Sequence, residues 1–308
     1  MQIIKDATQV KNQEAYVCAL GNFDGLHYGH MQLLKVAANV AKAQKLKFAI
    51  MTFEPHPVVF FSRSQNIRIL SLADKIQKFR NLKADLAIIQ NFNQDFANLS
   101  AEYFLTEILL KNLNVRHIVI GHDFIFGKNR KGDADFLNHM TEKHPFGFTQ
   151  IPSQSCQKNG LIFSSTEIRK AITTGNVRLA SELMGDNFSI SGKVIHGNQI
   201  GKELGYQTAN LALADYVRPK HGVYAVIVKL AGVQYKAIAN FGLRPTLTSN
   251  SEAVLEIHIF NFNQEIYDAE ISVEFIDFIR DEKKFASKIE LTSQIAHDCE
   301  QVKKILEF

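Results

Sequence analysis

Ten residues, Gly21-Asn22-Phe23-Asp24-Gly25-Leu26-His27-Tyr28-Gly29-His30, set two histidines three apart among several glycines. Histidine donates N–H bonds to phosphate oxygens and adds positive charge when protonated, and glycine lets a backbone come close to a ligand. The apolar run 15–20 before this stretch reads as a buried strand. After it, Leu34, Ala37, Ala38 and Ala41 recur at helical spacing. The run therefore sits where a first strand turns into a first helix. In α/β folds that junction attracts phosphates, through free backbone N–H groups and the helix dipole. A Gly-rich turn with two capping histidines is the plainer reading.

Three further stretches fall at matching places. Phe53-Glu54-Pro55-His56-Pro57 follows a second strand. Gly121-His122-Asp123-Phe124-Ile125-Phe126-Gly127-Lys128 follows a later one and runs into the basic loop Asn129-Arg130-Lys131-Gly132. Phe163-Ser164-Ser165-Thr166-Glu167-Ile168-Arg169 opens a helix. Hydroxyls at a helix start cap it and also bind phosphate oxygens, and Arg169 adds a planar fork suited to phosphate. Each stretch has a structural alternative: an N-cap for 164–166, a rigid turn for His56 between prolines, core packing for the phenylalanines at 124 and 126. Their co-occurrence on one ligand-facing edge favours a site.

The elements that must carry these residues alternate. Strands are expected at 46–53, 85–90, 115–121 and 148–152, with helices from 71, over 100–113, near 133–144 and over 165–174, where Gly175 would cap the last. This predicts a doubly wound, mostly parallel sheet. Beyond Phe188 the pattern becomes period-two. Runs 222–230 and 233–241 flank Ala231-Gly232 as a hairpin, and strands over 255–260 and 271–279 suggest a small β-barrel or sandwich. A helical tail places Phe285, Ile289, Ile295, Cys299, Val302 and Leu306 about a turn apart. The expected domains are 1–183 and 184–308, with the border between Ser181 and Phe188.

A second chemical stretch, His196-Gly197-Asn198-Gln199-Ile200-Gly201-Lys202-Glu203-Leu204-Gly205-Tyr206-Gln207-Thr208-Ala209-Asn210, leads out of a strand. Its glycines permit a phosphate-hugging loop, and Lys202 can neutralise charge. Thr208 and Asn210 offer hard oxygens suited to Mg²⁺. Glu256, on an alternating strand, is a candidate base. Taken alone, the segment reads equally as a flexible loop of a β-domain.

The H-x-G-H pattern after a first strand resembles the signature of the nucleotidyltransferase superfamily. The ten-residue run, "EPHP", "GHDFIFGKNRKGD" and "SSTEIR" together resemble the adenylyltransferase module of prokaryotic bifunctional riboflavin kinase/FAD synthetases. "GKELGYQTAN", "NFGLRPT" and "EIHIFNFNQEIYD" resemble the flavokinase blocks of the same family, so the resemblance spans essentially the whole chain. It implies a Rossmann-like nucleotidyltransferase domain followed by a β-barrel flavokinase domain with a terminal helix.

It further implies that His27 and His30 hold ATP phosphates, with Gly21, Asn22, Phe23 and Asp24 shaping that pocket. Ser164, Ser165, Thr166 and Arg169 would bind from the other side, and His27, His30 and Arg169 would stabilise the transition state. Phe53, His56, Asp123 and Phe124 would lie near the flavin. In the kinase, Gly197, Gly201, Lys202, Gly205, Thr208 and Asn210 would bind ATP. Thr208 and Asn210 would hold Mg²⁺, and Glu256 would face the riboflavin hydroxyl. Ile125 stands where the family often has Arg, Gln207 where it has Pro, and Tyr206 where Phe is common.

The implied activity is phosphorylation of riboflavin to FMN and adenylylation of FMN to FAD. The alternatives are an adenylyltransferase for another phosphorylated acceptor, which leaves the C-terminal blocks unused, and a flavin sensor without turnover. Composition agrees with an enzyme of small anions. The 308 residues suit about two domains, and the +4 formal charge is slight and scattered. No nucleic-acid partner is expected. Three widely spaced cysteines, a polar N-terminus and no apolar run near ~18 residues predict a cytoplasmic protein off the membrane. Oligomeric state has no signal here.

Overall fold

The computed structural model describes residues 1–9, 13–62, 66–155, 160–196, 206–213, 215–244 and 252–307. The chain packs as two compact units, Met1–Gln65 with Leu72–Ser164, and Asn66–Ser71 with Ser165–Phe308.

The first unit is built on six parallel strands, β1 (Gln2–Ile4), β2 (Tyr16–Leu20), β3 (Lys47–Glu54), β4 (Leu86–Asn91), β5 (Val115–Gly121) and β6 (Gly147–Ile151). Helices α1 (Tyr28–Gln44), α2 (Pro57–Ser62), α3 (Leu72–Asn81), α4 (Gln94–Ala97), α5 (Ala101–Tyr103) and α6 (Ala134–Thr141) connect them. Ser100 caps α5 through the Tyr103 N–H, and the chain continues as a π-wound segment, Phe104–Asn112. The doubly wound sheet expected from the alternation is thus present. Its three-residue β1 and the short α2 and α4 are too brief to leave a period.

Strand order is β1-β4-β3-β2-β5-β6. From β2 the chain moves to β3 and β4 on one side, then returns to β5 and β6 on the other. The topological switch point therefore lies between β2 and β5, and sheets of this kind bind ligands beyond the C-terminal ends of the strands there. All five residues of β2 are buried, which explains its unbroken apolar sequence.

The second unit opens with α7 (Ser165–Thr173) and α8 (Val177–Met184). Strands β7 (Ser189–Ile195), β8 (Ala209–Ala212), β9 (Gly222–Leu230), β10 (Val233–Arg244), β11 (Glu252–Ile259) and β12 (Glu270–Arg280) then form a closed barrel, followed by α9 (Lys288–Ile305). Ala231 and Gly232 both have positive φ, +49° and +83°, as a two-residue hairpin turn matching strand twist requires. Alternate residues of β11, Leu255, Ile257 and Ile259, are buried. On the outer face, Cys299 and Val302 of α9 seal a cluster with Val223, Ala225, Ile238 and Phe260.

The compact units divide at Ser164/Ser165, whereas the border expected from sequence, 183/184, lies at the end of α8. The reason is tertiary. Arg178 of α8 pairs with Asp277 of β12 at 2.5 Å, and Gly175 (φ +84°) lies against Lys220 and Phe278. The 66–71 segment joins the same unit. Arg68 exchanges backbone bonds with Asp215 and Val217 and pairs with the Asp215 carboxylate at 2.8 Å.

Candidate functional sites

The ten-residue run leaves β2 at the switch point and leads into α1. Between β2 and α1 the backbone takes left-handed values at Phe23 (φ 48°), Gly25 (77°) and Leu26 (43°). Two non-glycine residues in that region store strain of the kind found at ligand-binding turns. The turn buries Phe23 and Asp24, at 0% and 3% exposure, and a Cβ on Gly21 would lie 2.9 Å from the Phe23 ring.

His27 is the N-cap of α1, and its Nδ1 accepts the His30 N–H at 3.3 Å. That bond places the His27 ring proton on Nε2. The two imidazoles stack with centroids 3.6 Å apart. Gly29 leaves room for this, since a Cβ there would meet the His27 ring at 3.2 Å. Burial pushes the His27 pKa down to about 4, against the opposing charges of Asp123 and Asp24. It holds His30 well below its ordinary value too, with His27 and Lys75 adding to the effect. Both rings are therefore neutral at pH 7, so each can offer an N–H rather than a cationic charge. His30 Nδ1 and Asn22 Oδ1 are buried with no hydrogen-bond partner among the described residues, so polar capacity remains for a ligand.

Lys75 was not apparent from sequence. It is 5% exposed, and its Nζ donates to the Asn22 carbonyl at 2.9 Å, which also accepts from Thr52 Oγ1 at 2.8 Å. Two donors thus pin the carbonyl at the head of the motif, one of them a lysine amine. The available signal was its position: Lys75 and Phe79 are four apart, so Lys75 shares the buried face of α3.

The proposed flavin residues divide. Asp123 is exposed at the end of β5, next to β2. Phe53 is buried in an aromatic cluster with Phe92 and Phe96, and Phe124 stacks on Phe126. Both phenylalanines thus pack against other rings. His56 has a local task as well, its Nδ1 accepting the Val58 N–H at 3.1 Å in the first turn of α2.

Ser164 ends the first unit. The preceding Phe163 lies against Tyr28, 5.0 Å between ring centroids, with its carbonyl 3.6 Å from a Cβ built on Gly29. Ser165, Thr166 and Arg169 belong to α7 in the second unit, where Arg169 Nε donates to the Ile67 carbonyl at 2.8 Å. This arginine holds the 66–71 segment to α7.

In the barrel, β8 and β11 pair Asn210 with Glu256, and β10 sets Asn240 on the other side of Glu256. Residues directly opposite share a face, so Asn210, Glu256 and Asn240 form one row across three strands. Asn210 is buried and Glu256 exposed. Thr208 and Asn210 line a pocket of about 80 Å³ with Gln207, Phe262, Glu265 and Tyr267. Among the described residues no cluster of three His, Cys, Asp or Glu side chains forms a metal cage. Two neutral oxygens on one pocket wall fit Mg²⁺ arriving with phosphates and its own waters. Gly197, Gly201, Lys202 and Gly205 lie outside the described residues.

Comparison with known proteins adds to this geometry. A family model described as FAD synthetase matches residues 9–167, and one described as riboflavin kinase matches 184–306. A bifunctional riboflavin kinase/FMN adenylyltransferase of Haemophilus influenzae is 37% identical over 307 residues, 98% of each chain. Its counterpart in Buchnera aphidicola subsp. Schizaphis graminum is 38% identical, covering 93% of this chain and 92% of the relative. A crystal structure described as a macrolide-efflux protein from Streptococcus pneumoniae superposes with a TM-score of 0.86 at 34% identity, over 98% of both chains. Among the described residues no helix is long and apolar enough to cross a membrane.

Proposed function

This chain belongs to the bifunctional riboflavin kinase/FMN adenylyltransferase family, and from that premise we propose how its residues divide the chemistry. The protein phosphorylates riboflavin to FMN with ATP, then adenylylates FMN to FAD with a second ATP. The observation that carries this is the succession of two family matches on one chain, 9–167 and 184–306.

Adenylylation belongs to residues 1–183. An FMN phosphate oxygen attacks the α-phosphorus of ATP as the bond to the β-phosphate oxygen breaks, and pyrophosphate leaves. The attacking oxygen is already an anion, so no base is needed. Neutral His27 and His30 donate N–H bonds to the phosphates, where charge develops. Asn22, with its carbonyl pinned by Lys75 and Thr52, fixes the turn that presents them. Ser164, Ser165, Thr166 and Arg169 bind phosphate oxygens, with Arg169 using donors other than Nε. His56 and Asp123 meet the flavin.

Phosphorylation belongs to residues 184–308. Thr208 and Asn210 would hold Mg²⁺ and orient ATP, and Gly197, Gly201, Lys202 and Gly205 would bind ATP with them. When bound, Mg²⁺ offsets the charge of the β- and γ-phosphate oxygens. Glu256, beside Asn210, takes the proton of the ribityl 5′-hydroxyl as that oxygen attacks the γ-phosphorus and the bond from this phosphorus to the β-phosphate oxygen breaks, so that ADP leaves. Two buried cysteines, Cys18 and Cys299, are free thiols, which fits work in a reducing cytosol.

The test is to incubate the protein with riboflavin, ATP and Mg²⁺ and separate the flavins by chromatography. FMN should appear first and FAD after it. Absence of either product would overturn the corresponding half of the assignment.

A further inference from the structure

We propose that His258 is a positioning residue of the kinase site, holding the peptide that presents Thr208 and Asn210. This rests on the assignment of that pair to MgATP. The β8–β11 ladder pairs Glu256 with Asn210 and Ile257 with Ala209, and there it ends. One step further along, the His258 side chain takes over. Its Nδ1 lies 2.8 Å from the Gln207 carbonyl oxygen. A carbonyl oxygen only accepts, so the imidazole carries its proton on Nδ1 and donates.

The ring is itself held. Tyr206 meets it edge-on at 5.2 Å and Phe260 at 5.6 Å. Both aromatics belong to the outer cluster that α9 seals. A continuous line of contacts thus runs from α9 through Tyr206 and Phe260 to His258, and from its Nδ1–H to the Gln207 carbonyl. That carbonyl and the Thr208 N–H share one rigid peptide plane, so fixing the oxygen sets the direction in which Thr208 leaves. Gln207 needs this restraint because its φ is free, whereas a proline would be locked near −65°. His258 supplies through a side chain the stiffness that the backbone residue lacks.

The test uses the full-length protein. His258→Phe keeps a ring and removes the donor, while His258→Asn places an amide N–H near the former Nδ1. With riboflavin saturating, His258→Phe should raise the apparent KM for MgATP about fivefold to tenfold, in line with one lost hydrogen bond, with kcat changed less than about twofold. His258→Asn should recover most of that loss, and His258→Ala serves in place of Phe if the larger ring crowds the site. FMN adenylylation by the same samples should be unchanged, which shows that the chain is folded.

Two readouts separate positioning from general damage. Amide hydrogen exchange of the ligand-free protein over 207–210 should speed up in His258→Phe and return toward the parent rate in His258→Asn. Adding Gln207→Pro to His258→Phe should restore the KM, because the ring then performs the restraint. Equal behaviour of the Phe and Asn variants, a pure kcat effect, or no rescue by Gln207→Pro would overturn the proposal. Absence of kinase activity in the parent protein would instead overturn the functional assignment.

Discussion

The imidazole rings of His27 and His30 lie stacked 3.6 Å apart and 20° from parallel. Neither ring can be protonated without placing a charge against its neighbour in a buried site. Both rings therefore stay neutral in the fold.

Replacing His30 with Ala should abolish FAD formation from FMN while FMN formation from riboflavin stays near the parent rate. Loss of one preorganised donor at a developing charge costs about 10²–10³ in rate. A loss of less than about tenfold, measured on supplied FMN, would make His30 a helix-start residue only.

Acid should destabilise the first unit. The unfolded His27 takes up a proton near pH 6.5, whereas in the fold burial holds it down to about 4. Below pH 6.5 the unfolded chain therefore binds more protons. Stability is complete above that pH and falls, by about 1.4 kcal/mol per pH unit for one such group, until about pH 4. Thermal melts across this range should show the slope, and His27→Gln should flatten it. An identical profile in the variant would refute this.

Lys75→Met should reduce FAD synthesis about tenfold, the size of one hydrogen bond from a charged donor, with the kinase unaffected. Lys75→Arg should not restore it, because the site is 95% closed to solvent and a guanidinium is larger. Recovery by Arg would mean that charge alone matters and that pinning the Asn22 carbonyl does not.

Glu256→Gln keeps shape and removes the base, so kinase turnover should fall about 10²–10⁴-fold, and Asn210→Ala should weaken MgATP binding. Both variants should adenylylate supplied FMN normally. Matching losses in both activities would indicate misfolding of the chain.

The kinase half should be more robust as 165–308 than as 186–308. The shorter fragment loses α8, whose Val177, Ala180, Leu183 and Met184 are buried, and the Arg178–Asp277 pair. Melting temperatures of the two fragments test this, the longer one being expected several degrees higher. Equal values would show that the two helices add nothing to the barrel.

Long periodic elements were legible in the sequence because burial repeats along them: β5 runs over 115–121 and β9 over 222–230 as expected. The motif at the switch point was legible because strand, turn and helix are contiguous. What the sequence hid is long-range. Lys75 looks like any lysine of a charged helix until α3 packs against Thr52 and Asn22. No element is expected over 66–70 from the sequence, yet the backbone of Arg68 bonds to residues almost 150 positions away. Residue type alone leaves the charge of His27 and His30 open, and desolvation decides for the neutral form.

Barrel closure has a consequence for synthesis. β7 pairs with β12, the last strand, and β9 pairs with β12 as well. Until residue 280 has left the ribosome, β7 and β9 both expose an unpaired backbone edge of the kind that recruits other chains. The nascent kinase half is thus vulnerable to aggregation for most of its translation, and it becomes edge-free only in the final few dozen residues.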